Sequence, residues 1–162
     1  MNWVVLTLFP EMFRGGPLAH SILGRAQSEG RLNVTPVDIR NFADPPHRVC
    51  DDSPYGGGPG MVMKVDPIVR AYRGSVASLP AGKPDVVVAM SASGELLTDS
   101  LAREFSGLKN ICVLCGHYEG IDQRAIEIIG AREISIGNFL LTGGETAALA
   151  LIDAVSRYVP GV

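Results

Sequence analysis

Two short segments of this chain combine glycines with groups that chemistry can use. One reads C-G-H-Y-E-G-I-D (115–122) and the other S-I-G-N-F-L-L-T-G-G-E (135–145). Each follows or contains the end of a short apolar run that reads as a buried strand, residues 111–114 and 133–136. Glycine just past the carboxyl end of a strand lets backbone approach a ligand closely, because it carries no Cβ. Two such corners close together predict a small-molecule pocket built mainly from backbone. A third segment, D-A-V-S-R-Y-V-P-G-V (153–162), ends a helical pattern with one arginine, Arg157, among apolar neighbours. The three together fit a bound cofactor with one cationic catalytic group beside it.

Each feature has a plainer alternative. Gly116 and Gly137 could be strand-end turns, and Gly143-Gly144 a tight turn into a helix. Glu119 could be a carboxylate favoured by the positive end of a helix starting near Ile121. Arg157 could be a helix-terminal arginine whose stem lies on apolar surface. Gly56-Gly57-Gly58 lacks the G-K-[ST] ending of a phosphate loop, so a flexible connector competes with any phosphate role. Cys112 and Cys115 form a C-x-x-C without a second pair or a histidine cluster, which favours two buried small hydrophobes over a zinc or redox site.

The elements that must position these residues alternate. Residues 3–8 read as a buried strand, 17–29 as a helix capped by Gly30, and 33–39 as a second strand. Residues 42–63 form a long loop rich in Pro, Gly and Asp. A helix begins at 66–72, with Asp66 as N-cap and Pro67 at its first position. Residues 85–90 (D-V-V-V-A-M) are apolar on both faces, as in a covered parallel sheet. Helices follow at 98–105 and 121–129, and the last helix spans 145–158, with Ala147, Leu151, Ala154 and Val155 on one face. The pattern predicts an α/β fold, a mostly parallel sheet with helices on both faces.

The chain has 162 residues, 46% of them hydrophobic, and a net charge of −3. That fits one folded domain. No run is long enough for a membrane helix and no amino-terminal signal is present. Three cysteines, an odd count, fit a reducing, cytoplasmic setting. A lone nucleic-acid module is usually basic, so RNA contact would need a local patch. Arg40, His47, Arg48 and Lys64 are candidates, with scattered surface charge as the alternative.

The ordered motifs carry a resemblance. L-F-P-E-M-F (8–13), D-D-S-P-Y-G-G-G-P-G-M-V-M (51–63), the two glycine corners and the final P-G-V (160–162) occur together over essentially the whole chain. In this set the chain resembles the bacterial tRNA (guanine-N1) methyltransferase family of the knotted, or SPOUT, superfamily. The resemblance implies that residues 1–162 are a donor-binding domain with a trefoil knot in the carboxyl-terminal half. It implies S-adenosylmethionine as methyl donor and N1 of the guanine immediately 3′ of the tRNA anticodon as acceptor (m1G37). It further implies a cytoplasmic homodimer with the active site between subunits, contacts through residues 51–63 and the last helix, and Mg²⁺ in the reaction. A carboxyl-terminal tRNA-binding domain, carrying the aspartate that acts as base, would lie outside these residues.

The same resemblance assigns the pocket. Met90 and Ser91 form one wall. Gly116, Tyr118 and Glu119 form the second, with Glu119 beside the positively charged donor and counted with Arg157 as catalytic. Ile136, Gly137, Asn138, Phe139, Leu140, Leu141, Gly143 and Gly144 form the third. Arg157 would meet charge developing on the guanine oxygen. Against the family pattern, His117 replaces an arginine, Asn138 replaces an aspartate, and M-S-A-S-G (90–94) replaces L-S-P-Q-G. The competing readings are a knotted RNA methyltransferase with another acceptor, a nucleotide-binding domain without methyl transfer, and a non-enzymatic RNA-binding module. No carboxylate cluster specifies a metal site.

Overall fold

Strand β1 (Asn2–Thr7) shows how the sheet is covered on both sides. Trp3 and Val5 point into one apolar cluster, Val4 and Leu6 into another, as the two-residue period of a strand requires. The structure is a computed structural model and describes residues 1–54 and 56–162. Among them the main sheet has five strands in the order β2-β1-β6-β5-β7. These are β2 (Asn33–Asp38), β5 (Val86–Leu96), β6 (Asn110–Cys115) and β7 (Arg132–Ser135) beside β1. Every pairing within it is parallel. α1 (Ser21–Ser28), α3 (Asp99–Ser106) and α5 (Glu145–Ser156) supply buried residues to the cluster of Trp3 and Val5. α2 (Val65–Val76) and α4 (Gln123–Ile129) supply the cluster of Val4 and Leu6. The expected α/β architecture is therefore present.

Cys112 and Cys115 lie three apart on β6 and so face opposite sides of the sheet. Cys112 joins the α2/α4 cluster and Cys115 the α5 cluster. Burial pushes the Cys112 thiol up to about 12 and the Cys115 thiol well above its ordinary value. Both are buried thiols, and they cannot share a bond or a metal.

Several boundaries differ from expectation. Residues 17–29 are not one helix: a 3-10 turn at Gly16–Ala19 precedes α1, with His20 extended and Ser21 at φ +53°. The turn folds back over Gly24, where a Cβ would stand 2.6 Å from the Ala19 carbonyl. α2 starts at Val65 with Lys64 at its N-cap. Asp66 and Pro67 thus sit inside its first turn, where the missing proline N–H costs no helical hydrogen bond. Within the loop 42–63, β3 (Asp51–Asp52) pairs antiparallel with β4 (Val62–Met63). Tyr55, part of the 51–63 motif, lies outside the described residues.

Two further differences bear directly on the site. The strand expected at 85–90 continues to Leu96, and its register on β7 shifts between Met90 and Glu95, so that both pair with Ile134. The segment 91–94 is thereby pushed out of the ladder as a bulge. Gly94 is what allows it, since a Cβ there would stand 2.5 Å from the Glu133 carbonyl carbon and the Ile134 nitrogen. The last helix, expected as a dimer contact, buries Ala147, Ala148, Leu151, Ile152 and Val155 against its own chain.

Candidate functional site

The carboxyl ends of β5, β6 and β7 open onto one cleft of about 420 Å³, within the range of small-molecule sites. The β5 bulge brings Met90, Ser91, Ala92 and Ser93 to it. The chain leaving β6 brings Gly116 through Ile121, and the chain leaving β7 brings Ile136, Gly137, Phe139, Leu140, Leu141, Thr142, Gly143 and Gly144. Three corners separated in sequence therefore converge, and the convergence follows from the parallel order β6-β5-β7.

Each corner is held by backbone. Gly144 N–H donates to the Gly116 carbonyl at 2.8 Å, and a Cβ on Gly144 would stand 2.7 Å from the Gly116 nitrogen and 2.9 Å from the Cys115 Cα. This glycine serves the approach of one corner to another. At the third corner Ser135 Oγ donates to the Gly137 carbonyl at 3.0 Å and accepts from its N–H at 3.2 Å. The Phe139 ring covers Gly137, 2.2 Å from where a Cβ would be. At the second corner Gly120 N–H donates to the His117 carbonyl at 3.2 Å, with Tyr118 at φ +60° and Gly120 at φ +140°. Burial, with Asp51 adding, pushes the Tyr118 phenol up, so it remains a protonated donor at neutral pH.

The loop 51–63 is tied to this second corner. Glu119 N–H donates to Met61 O at 3.0 Å, Met63 N–H to Gly120 O at 2.9 Å, and Asp122 N–H to Met63 O at 3.1 Å. The Glu119 stem lies on Gly60, which has φ +88°. The helix-start role considered for Glu119 belongs to Asp122, whose Oδ1 accepts from Arg124 N–H at 3.0 Å as the N-cap of α4. Glu119 is left as a carboxylate on the wall of the cleft.

Of the expected site residues, Met90, Ser91, Gly116, Tyr118, Glu119, Ile136, Gly137, Phe139, Leu140, Leu141, Gly143 and Gly144 line the cleft. Asn138 is not among the lining residues and is exposed. Arg157 is not either. It is the exposed C-cap of α5, at the far end of a 12-residue helix whose other end is Gly144, about 18 Å away at 1.5 Å per residue. The expectation that Arg157 stands beside the cofactor corner of its own chain is therefore corrected. Residues not foreseen include Ala92 and Ser93, exposed to the cleft by the bulge, Gln123 and Ile126 from α4, and Glu133, Ile134 and Ser135 from β7. A strand at 133–136 was legible, but its pairing with β5 was not.

The candidate basic patch is divided. Arg40 donates to the Leu8 carbonyl and lies over the Phe9 ring at 5.3 Å, so its charge is turned inward. Arg48 donates to Asn41 Oδ1 at 2.7 Å. His47 and Lys64 line a second cavity of about 590 Å³ that also holds Asp44, Asp52, Asp66 and Asp122. Its mixed charge gives no single preference, whereas the first cleft gathers three backbone corners and two carboxylates, Glu119 and Glu133. Among the described residues no group of three or more His, Cys, Asp or Glu is placed to hold a metal ion, and no helix is long and apolar enough to cross a membrane.

Comparison with known proteins gives concordant results. Residues 1–162 match the family described as "tRNA (Guanine-1)-methyltransferase TrmD". A tRNA (guanine-N(1)-)-methyltransferase of Chloroflexus aggregans is 51% identical over all 162 residues, which cover 62% of that relative. A protein of the same name from Carboxydothermus hydrogenoformans is 49% identical over 158 residues, covering 60% of it. The crystal structure of a tRNA (m1G37) methyltransferase from Aquifex aeolicus superposes with a TM-score of 0.89 at 44% identity, over all of this chain and 71% of that one. The chain thus spans about three fifths of the length of these curated relatives.

Proposed function

The chain belongs to the tRNA (guanine-1)-methyltransferase family, and from that premise we propose that it is the donor-binding domain of an enzyme that methylates N1 of the guanine 3′ of the tRNA anticodon. The observation that carries the proposal is the convergence of the β5 bulge and two glycine corners on one cleft. The donor, S-adenosylmethionine, would supply a methyl group on a positively charged sulfur. The residues present suit it. Backbone at Gly116, Ile136 and Leu141 can read an adenine edge, and Met90, Ile134 and Phe139 offer apolar walls. Glu119 is a carboxylate able to face a cation. The trefoil knot belongs to the proposal, supported by the Gly144–Gly116 contact that draws the third corner against the second.

The acceptor side needs more than this pocket. Guanine N1 keeps its proton near neutral pH, so a general base must remove it, and charge then moves toward O6. No residue of this chain is assigned as that base. Arg157, exposed and a helix length from its own cleft, fits a cation that serves the pocket of a second copy, and so supports a homodimer with the site between subunits. The apolar mouth residues Phe139 and Leu140, 55% and 84% exposed, support the same arrangement. The described residues offer Mg²⁺ no cluster of carboxylates or other ligands.

The test is radiolabelled methyl transfer to tRNA transcripts that differ only at the base 3′ of the anticodon. It uses this chain joined to the additional length its relatives carry. Label confined to the guanine transcript is the expected result; label independent of that base overturns the acceptor assignment. The 162 residues alone are expected to bind donor and to transfer little, because no base is assigned within them.

A further inference from the structure

Beneath the cleft lies a buried polar chain that donor binding alone does not require. The Glu145 carboxylate is 3% exposed and opens α5 directly after Gly144. Its Oε1 accepts from the Thr7 hydroxyl at 2.8 Å, and that hydroxyl oxygen accepts from Phe9 N–H at 2.9 Å. Thr7 is wholly buried at the end of β1. A buried carboxylate is costly unless its oxygens are hydrogen-bonded. Thr7 serves one oxygen, and Oε2 points elsewhere.

It points across Gly143. A Cβ on Gly143 would stand 2.5 Å from Glu145 Oε2 and 2.6 Å from His117 Nδ1. The two atoms therefore converge on one face of the same residue. His117 Nδ1 is buried and has no hydrogen-bond partner among the described residues. Its ring is oriented by edge contacts with Phe9 at 5.0 Å and Tyr118 at 5.4 Å. Two aromatic rings thus hold the imidazole edge-on, and Gly143 leaves room for Nδ1 beside the Glu145 carboxylate. A hydrogen on Nδ1 would face Oε2, the carboxylate oxygen that Thr7 does not serve.

We infer that Thr7, Glu145 and His117 form a polar clasp across Gly143, with His117 Nδ1–H donating toward Glu145, and that the clasp positions the second and third corners of the cleft. Glu145 and His117 are positioning residues here. They fix the spacing of the walls that carry Tyr118, Glu119 and Gly144. The partner on one ring nitrogen decides the tautomer, so the clasp selects Nδ1–H. The functional half of this inference rests on the donor-binding reading above; the tautomer half does not.

The test has two arms. Long-range ¹H–¹⁵N spectra of the labelled chain report the tautomer of each of its three histidines, with exposed His20 and His47 as internal references. His117 is expected to carry hydrogen on Nδ1, while His20 and His47 favour Nε2–H. In Glu145→Gln the side-chain amide can donate to Nδ1, so His117 is expected to switch to Nε2–H. An Nε2–H tautomer in the unaltered chain, or no change in Glu145→Gln, overturns the clasp. The second arm measures adenosylhomocysteine affinity. His117→Ala is expected to weaken it about tenfold, roughly the loss of one hydrogen bond to a charged group. His117→Asn, whose amide N–H₂ occupies the Nδ1 position, is expected to recover most of it. Equal affinity in all three overturns the positioning role. Absence of binding in the unaltered chain, with the tautomer pattern as expected, counts against the donor reading and leaves the clasp standing.

Discussion

The two ends of α5 share one helix and opposite surroundings. At its start Gly144 touches the backbone of Cys115 and Gly116, and Glu145 is buried on Thr7. At its end Arg157 is exposed, and the next residue, Tyr158, ties the helix to α3 through Asp99 with Arg103 over its ring at 4.2 Å. The first end builds the cleft of its own chain, and the second holds a cation away from it. On the proposed function, donor binding and charge stabilisation at the acceptor are therefore separable in this fold. A protein that needs both must bring a second surface to the cleft.

That contrast is most vulnerable at Gly144. Gly144→Val places side-chain carbon inside 3 Å of backbone at Cys115 and Gly116. Backbone there cannot swing aside as a side chain can. A loss of about 1–3 kcal/mol of stability is expected, as for other overpacked sites, together with loss of adenosylhomocysteine binding. Chemical denaturation and calorimetry measure the two. An unaffected cleft would show that the two corners are not held by this contact.

At the other end, Arg157→Ala in the longer protein is expected to reduce methyl transfer roughly a hundredfold, the scale for losing one donor to a developing oxyanion. Stability and donor affinity should hold, since Arg157 is exposed and away from the cleft. Lost donor affinity with normal turnover at saturating donor would place Arg157 in the donor site and collapse the distinction.

Gly137 gives an intermediate case. Its missing Cβ is filled by the Phe139 ring, the far end of a side chain that is 55% exposed. Gly137→Val is expected to fold, with the ring displaced, and to bind adenosylhomocysteine about tenfold more weakly, near 1.4 kcal/mol. Unchanged affinity would make Gly137 a turn residue only.

The corner glycines show how far sequence could reach. Strand-then-glycine spacing located Gly116, Gly137, Gly143 and Gly144 and identified the cleft they line. It could not say what each glycine makes room for, because the partner of Gly144 is the backbone of another corner and the partner of Gly137 a ring two residues on. The bulge at 91–94 was hidden because the apolar run ended at Met90, and only the pairing with β7 carries the strand to Leu96. The sequence sets Arg157 next to the cofactor corner because it ends the helix that follows the glycine pair. A helix converts that closeness into distance.

The smallest effect expected is at Tyr158→Phe. Asp99 is held below the usual carboxylate range, first by the Tyr158 hydroxyl and then by Arg103. A lowered carboxyl contributes stability above its ordinary pKa and loses it as pH falls through the lowered value. The acid limb of the thermal stability curve should flatten slightly in the variant. Donor affinity should not move, because the tie is at the end of α5 that does not build the cleft; a coupled loss would link the two ends.

One chain thus holds all three walls of the cleft proposed to take the donor, and Arg157 is no part of them. Calorimetric titration of adenosylhomocysteine into the 162-residue chain and into its Arg157→Ala variant tests this directly. Saturable binding with one ligand per chain, and the same dissociation constant in both, is the expected result. No binding up to about 1 mM, where affinity falls to roughly 4 kcal/mol, or binding that depends on Arg157, would contradict it.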